Sequence, residues 1–111
     1  MGKGQFLGEF EQMVLLAIVR LEDNAYGMTI RQVIEGRTDR TVTIGAVYAA
    51  LERLEAKRYL KSTVAGPEPI RGGRSKRLYH VTGAGARALS HSQAMMAKMA
   101  EGLVLDDRAT S

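Results

Sequence analysis

The chain has no cysteine, no tryptophan, and only two prolines and two histidines in 111 residues. Without cysteine there are no disulfides, no thiolate metal sites and no cysteine nucleophile, a usage that fits a cytoplasmic protein. His80 and His91 do not form an HExxH pair, and no Ser-His-acid set stands out. Long hydrophobic runs are also missing. The longest, Met13 to Val19, is seven residues, against about 20 needed to cross a bilayer. Residues 1–7 carry one lysine and no apolar core, so they do not read as a secretory leader. Gly72-Gly73 and Gly83-Ala84-Gly85 lack the GxxxxGK pattern of a phosphate cradle. The expectation is therefore no enzyme, no metal, no cofactor and no membrane span, with the cytoplasm as default address.

What is present is a basic balance with an uneven distribution. The net charge is +4. Arg53 to His80 hold eight basic and two acidic residues, a local net of +6, and the rest of the chain has eight basic against ten acidic, or −2. Concentrated positive charge is the footprint expected of a phosphate binder, although charge alone suits a solvated face equally well. At this length one small domain is expected, and its core is thin enough that a dimer would help.

Apolar spacing predicts four helices. In the first, about residues 8–21, Phe10, Met13, Val14, Ala17, Ile18 and Leu21 recur three and four apart, and Leu15 and Leu16 widen the stripe. So apolar a helix needs cover on more than one side, which a second chain would supply. Glu22-Asp23-Asn24 breaks the pattern and offers a cap for a second helix over about 25–37, with Tyr26, Ile30, Val33 and Ile34 inward. A third helix, about 43–58, turns Ile44, Val47, Tyr48, Leu51 and Leu54 to the core. Two short strands follow, about 59–65 and 77–81. Between them residues 66–75 hold both prolines and three glycines, read as a long irregular hairpin loop. Thr82 caps a last helix over about 83–103, where Leu89, Met96, Met99 and Leu103 fall near heptad positions.

That order, helix, strand, basic loop, strand, is how a winged helix-turn-helix lays one helix in a DNA groove with a loop beside it. The expected fold is mostly α with a small two-stranded β hairpin: a winged helix-turn-helix domain over 7–81 and a C-terminal dimerisation helix over 82–105. The candidate DNA contacts follow from it. Thr41 and Thr43 stand at a helix N-terminus, where oriented N–H groups suit a phosphate. Gly45, Ala46 and Ala49 are small enough for close approach and offer methyl contacts to thymine. Tyr48 is either core or a phosphate contact. Arg53 and Lys57 lie where phosphate contact is more natural than base reading, unless they are solvated or paired with Glu52 or Glu55. In the loop, Arg71, Arg74, Lys76 and Arg77 fall within seven residues with no acid among them, placed to enter the minor groove or clamp phosphates.

Three segments together resemble the PadR family of bacterial transcriptional regulators: Tyr26-Gly27-x-x-Ile30, Gly45-Ala46-Val47-Tyr48-x-x-Leu51-x-Arg53-Leu54-Glu55, and Gly73-Arg74-x-x-Arg77-x-Tyr79-x-Val81-Thr82-x-x-Gly85. The likeness runs from about residue 7 to 89. It implies a winged helix-turn-helix repressor acting as a homodimer on palindromic double-stranded DNA, possible release by a small-molecule or stress signal, and dimerisation through the C-terminal helix with help from the first. The dimer interface is expected at Phe10, Val14, Leu89, Met96, Met99 and Leu103. The single short final helix is similar to the small subgroup of the family. Two departures stand out. Many members have proline where this chain has Gly83, which weakens the expected start of the last helix. Some small members hold flat aromatic ligands between tryptophans, and that mode has no counterpart here. Phe6, Phe10, Met95, Met96 and Met99 read as dimer core ahead of any ligand pocket. The alternative function is a winged-helix protein-interaction module without DNA binding.

Overall fold

Four helices and one β hairpin build the molecule. The computed structural model describes residues 6–70 and 74–105, and side chains outside 65–75. The order is α1 (Glu9–Leu21), a 3-10 turn (Glu22–Asn24), α2 (Gly27–Arg37), α3 (Ile44–Ala56), β1 (Leu60–Ile70), β2 (Arg74–Val81) and α4 (Gly83–Ala100).

Helix α1 begins where the Glu11 carboxylate turns back to accept the Gly8 N–H at 3.1 Å, satisfying one of the donors every helix start leaves open. Val14, Leu15, Ala17 and Ile18 are buried. The segment Glu22–Asn24 forms the 3-10 turn and does not cap α2 as expected. The cap lies two residues later. Tyr26 is extended, its N–H donates to Thr29 Oγ1 at 3.0 Å, and the Thr29 hydroxyl donates to the Asn24 carbonyl at 2.6 Å. The cause is tertiary: the Tyr79 N–H of β2 donates to the Ala25 carbonyl at 2.8 Å, which holds Ala25 and Tyr26 out of the helix.

Thr43 caps α3 by accepting the Ala46 N–H at 3.1 Å. The helix ends with the Arg58 N–H bonded to the Glu55 carbonyl and the Tyr59 N–H to the Leu54 carbonyl. This is the Schellman pattern, with buried Leu54 and Tyr59 as its apolar pair. Its left-handed position, usually glycine, is Arg58 at φ 66°.

β1 and β2 pair antiparallel from Leu60 opposite Val81 to Ala65 opposite Lys76, then again at Ile70 opposite Arg74, with an irregularity between. The strands thus reach further than expected, and residues 66–70, read as loop, continue β1. Pro67 and Pro69 fall within that irregularity, between the Ala65–Lys76 and Ile70–Arg74 pairs, where a residue without an N–H is tolerated.

Thr82 starts α4 firmly despite Gly83. Its hydroxyl oxygen accepts the Gly85 N–H at 3.0 Å and its hydroxyl donates to the Arg58 carbonyl at 2.8 Å. Gly85 lies so close to β1 that a Cβ would collide with the Tyr59 carbonyl. The helix stops at Ala100, and Gly102 follows in the left-handed region at φ 81°, so Leu103 falls beyond the helix expected to contain it.

The core lies where α1, α2 and α3 meet, closed by Tyr59, Leu60 and Tyr79 of the hairpin and its approach, and by Ala88 and Leu89 of α4. Leu15, Ile30, Leu51, Leu54, Val14 and Val47 are its largest fully buried side chains, each contributing about 1.5–3 kcal/mol of transfer free energy. Among the described residues no buried side-chain polar atom lacks a partner.

Candidate nucleic-acid interface

The α2–α3 connection is fixed by side chains that sequence spacing did not single out. Glu35 accepts the Val42 N–H at 2.8 Å and Arg31 Nε donates to the Val42 carbonyl at 2.8 Å, while Val42 itself is buried. Arg40 reaches Glu9 at 2.7 Å, tying the same connection to the start of α1. These bonds set the N-terminus of α3, and with it Thr41 and Thr43, both exposed.

Along α3 the surface divides in three. Gly45, Ala49, Glu52 and Ala56, spaced four, three and four apart, form one exposed stripe. On one flank Tyr48 is 49% exposed, so it leaves the buried stripe in which the spacing put it. Its ring lies over Gly27, where a Cβ would be 2.6 Å from the Tyr48 oxygen. The Tyr26-Gly27 and Gly45-x-x-Tyr48 segments thus meet: the glycine makes room for the tyrosine ring. On the other flank Arg53 and Lys57 both turn toward Glu11 of α1, Nε and Nζ each 3.3 Å from Oε2. Their acid is therefore Glu11 and neither Glu52 nor Glu55. Burial pushes the Glu11 carboxyl up, but the Gly8 N–H, Lys57 and Arg53 outweigh it and hold it below the usual carboxylate value. Arg53 remains 53% and Lys57 39% exposed.

Lys76 and Arg77 of the hairpin face opposite ways, as strand alternation requires. Arg77 faces α3, donating to Ser62 Oγ at 2.9 Å, and Ser62 donates to Glu55 at 2.7 Å. Lys76 turns the other way, its ammonium 4.2 Å from the Tyr26 ring centre. Arg71 lies outside the described residues, and of Arg74 only the backbone is described. Between α3 and β2 a cleft of about 490 Å³ opens, with Tyr48, Glu52 and Glu55 on one wall and Arg77 and Tyr79 on the other. Burial and the nearby Glu55 raise the Tyr79 phenol above its ordinary value, so it stays protonated.

The expected dimer residues separate into two groups. Val14 is fully buried and Leu89 8% exposed within the single chain, so both belong to its own core and neither is available to a partner. Much of the apolar surface of α1 packs within the chain, where Val14, Leu15, Ala17 and Ile18 are buried, while Leu16 and Val19 stay 38% and 55% exposed. Phe10 is partly buried, with the Arg40 guanidinium 5.9 Å from its ring centre. Met96, Met99 and Leu103 are 67%, 77% and 62% exposed. Among the described residues no group of acids and histidines is placed to hold a metal, and no helix is long and apolar enough to cross a membrane.

A three-helix unit with a two-stranded wing beside its third helix defines a winged helix-turn-helix protein. The sequence profile of the transcriptional regulator PadR-like family matches residues 15–91, and the chain belongs to that family. Its members are regulators and not catalysts. Solved structures agree on the fold. A transcriptional regulator from Clostridium thermocellum is 21% identical with a TM-score of 0.68, covering 80% of this chain and 81% of its own. A PadR family transcription regulator from Clostridium difficile is 22% identical with a TM-score of 0.64, covering 82% of this chain and 94% of that one. One from Eggerthella lenta is 23% identical with a TM-score of 0.66, covering 85% and 81%. No curated protein matches the chain.

Proposed function

We propose that the protein is a cytoplasmic, sequence-specific repressor that binds palindromic double-stranded DNA as a homodimer and is released by a small-molecule or stress signal. The observation that carries this reading is the exposed stripe Gly45, Ala49, Glu52, Ala56 beside a wing strand bearing Arg77, in a chain of the PadR-like family. In this reading residues 7–81 contact DNA: α3 enters the major groove, Thr41, Thr43 and Tyr48 contact phosphates near its start, and Gly45, Ala46 and Ala49 approach base edges. Arg53 and Lys57 contact backbone from its far end. Arg71, Arg74, Lys76 and Arg77 extend the positive surface along the wing.

Residues 82–105 pair the two protomers. Support comes from Met96, Met99, Leu103, Val104 and Leu105, all more than 60% exposed, an apolar surface that burial against a second copy would remove from water. In this reading Phe10 of α1 joins the pairing surface.

The test is the variant Arg74→Ala/Arg77→Ala. It should weaken binding to every duplex and make the salt dependence shallower by about two phosphate equivalents, near 1.8 in the log–log slope. Unchanged affinity and slope would remove the wing from the interface.

A further inference from the structure

We infer that Glu52 is a base-reading residue and that it specifies a cytosine in each half-site; this rests on the DNA-binding reading above. Glu52 is exposed at the centre of the α3 stripe, one turn from Ala49 and one from Ala56. Among the described residues it makes no hydrogen bond or ion pair, whereas the basic residues around it are drawn aside. Arg53 goes to Glu11, and Arg77 to Ser62 and through it to Glu55. Gly45, Ala49 and Ala56 carry no side-chain hydrogen-bonding group. Glu52 is therefore the one long polar side chain on the stripe, and its small neighbours let the helix come close enough for it to reach the groove floor.

A carboxylate there is repelled by every phosphate, so it weakens binding to DNA in general. It also only accepts hydrogen bonds. On the major-groove edges guanine and thymine present acceptors, adenine presents the N6 donor beside the N7 acceptor, and cytosine presents the N4 amino group with no acceptor of its own beside it. A carboxylate thus fits cytosine best. The same group that lowers general affinity discriminates among bases at one position.

The experiment is selection from a randomised duplex library by the full-length protein and by Glu52→Gln and Glu52→Ala, with the melting temperature of each variant measured first. Glu52 has no described hydrogen-bond or ion-pair partner, so both variants should melt within a few degrees of wild type. Wild type should prefer cytosine at one position of each half-site by about tenfold to a hundredfold. Glu52→Ala should lose that preference, and Glu52→Gln, able to donate and accept, should move it to adenine. If all three proteins return the same base profile while both variants bind every duplex more tightly, Glu52 only repels phosphate and the inference fails alone. If wild type selects no sequence at all, the DNA-reading function fails and this inference with it.

Discussion

Glu11 anchors three things at once, the first turn of α1 and two cations of α3, so Glu11→Gln is the most informative single change for stability. The glutamine carbonyl can still accept the Gly8 N–H, so the loss is confined to Arg53 and Lys57, each 3.3 Å away. A hydrogen bond to a charged group contributes about 1.5–3 kcal/mol when well shielded. Arg53 and Lys57 are more than a third exposed, so screening reduces each to about 0.5–1 kcal/mol. The variant should therefore lose about 1–2 kcal/mol, and at roughly 4–8 °C per kcal/mol for a domain near this size its melting temperature should fall by about 4–16 °C.

The pH dependence follows from the lowered carboxyl. Its folded-state value lies below the ordinary 4.5, so its stabilisation is fully present above that value and disappears as pH falls through the folded-state one. Thermal unfolding followed by circular dichroism should show the gap between wild type and Glu11→Gln at pH 7 and its closure in the acid range below the ordinary carboxyl value. Equal melting temperatures at pH 7, or a gap that persists unchanged in acid, would refute the ion-pair account.

Further expectations concern backbone and packing. Arg58→Gly should stabilise the chain by about 0.5–1 kcal/mol, since Arg58 occupies a left-handed position at the end of α3 that costs an L-residue about 1–2 kcal/mol and part of the gain is returned as unfolded-chain entropy; urea unfolding measures it. Gly85→Ala should destabilise by about 3 kcal/mol or prevent folding, because the added methyl meets the Tyr59 carbonyl, a backbone atom that cannot swing away; recovery in the soluble fraction and the urea midpoint report it. Met96→Ser/Met99→Ser should shift the mass seen by light scattering toward the monomer, whereas Val14→Ala should lower stability by about 2 kcal/mol through a core cavity and leave the mass unchanged. A double serine variant with the wild-type mass would count against pairing through α4.

The helices were legible because their inward residues recur at helical spacing: Val47, Leu51 and Leu54 are buried as the pattern requires, and Thr43 and Thr82 cap α3 and α4. Spacing leaves Tyr48 open between core and phosphate contact because it lies at the flank of the same stripe, and the fold leaves it 49% exposed. Its exposure depends on Gly27, which gives its ring a seat from another helix. Arg53 and Lys57 pair with an acid 42 and 46 residues away, a distance no local rule encodes. The prolines suggest a loop by composition, yet β1 continues through them to Ile70 with an irregularity in its pairing. Spacing alone sends Val14 and Leu89 to a partner, because an apolar surface does not say which chain covers it, and in the fold both are buried within one chain. The cation chemistry of the candidate site was visible as charge, while its division into Glu11-bound, Tyr26-bound and Ser62-bound groups came only with the fold.

Specific DNA recognition is measured by fluorescence anisotropy. A labelled duplex from the DNA upstream of the protein's own gene is titrated at several salt concentrations beside a scrambled duplex. Tighter binding to the native duplex, falling steeply as salt rises, is the predicted result. No binding to either duplex at low salt would contradict the account and favour a winged-helix module that binds protein instead.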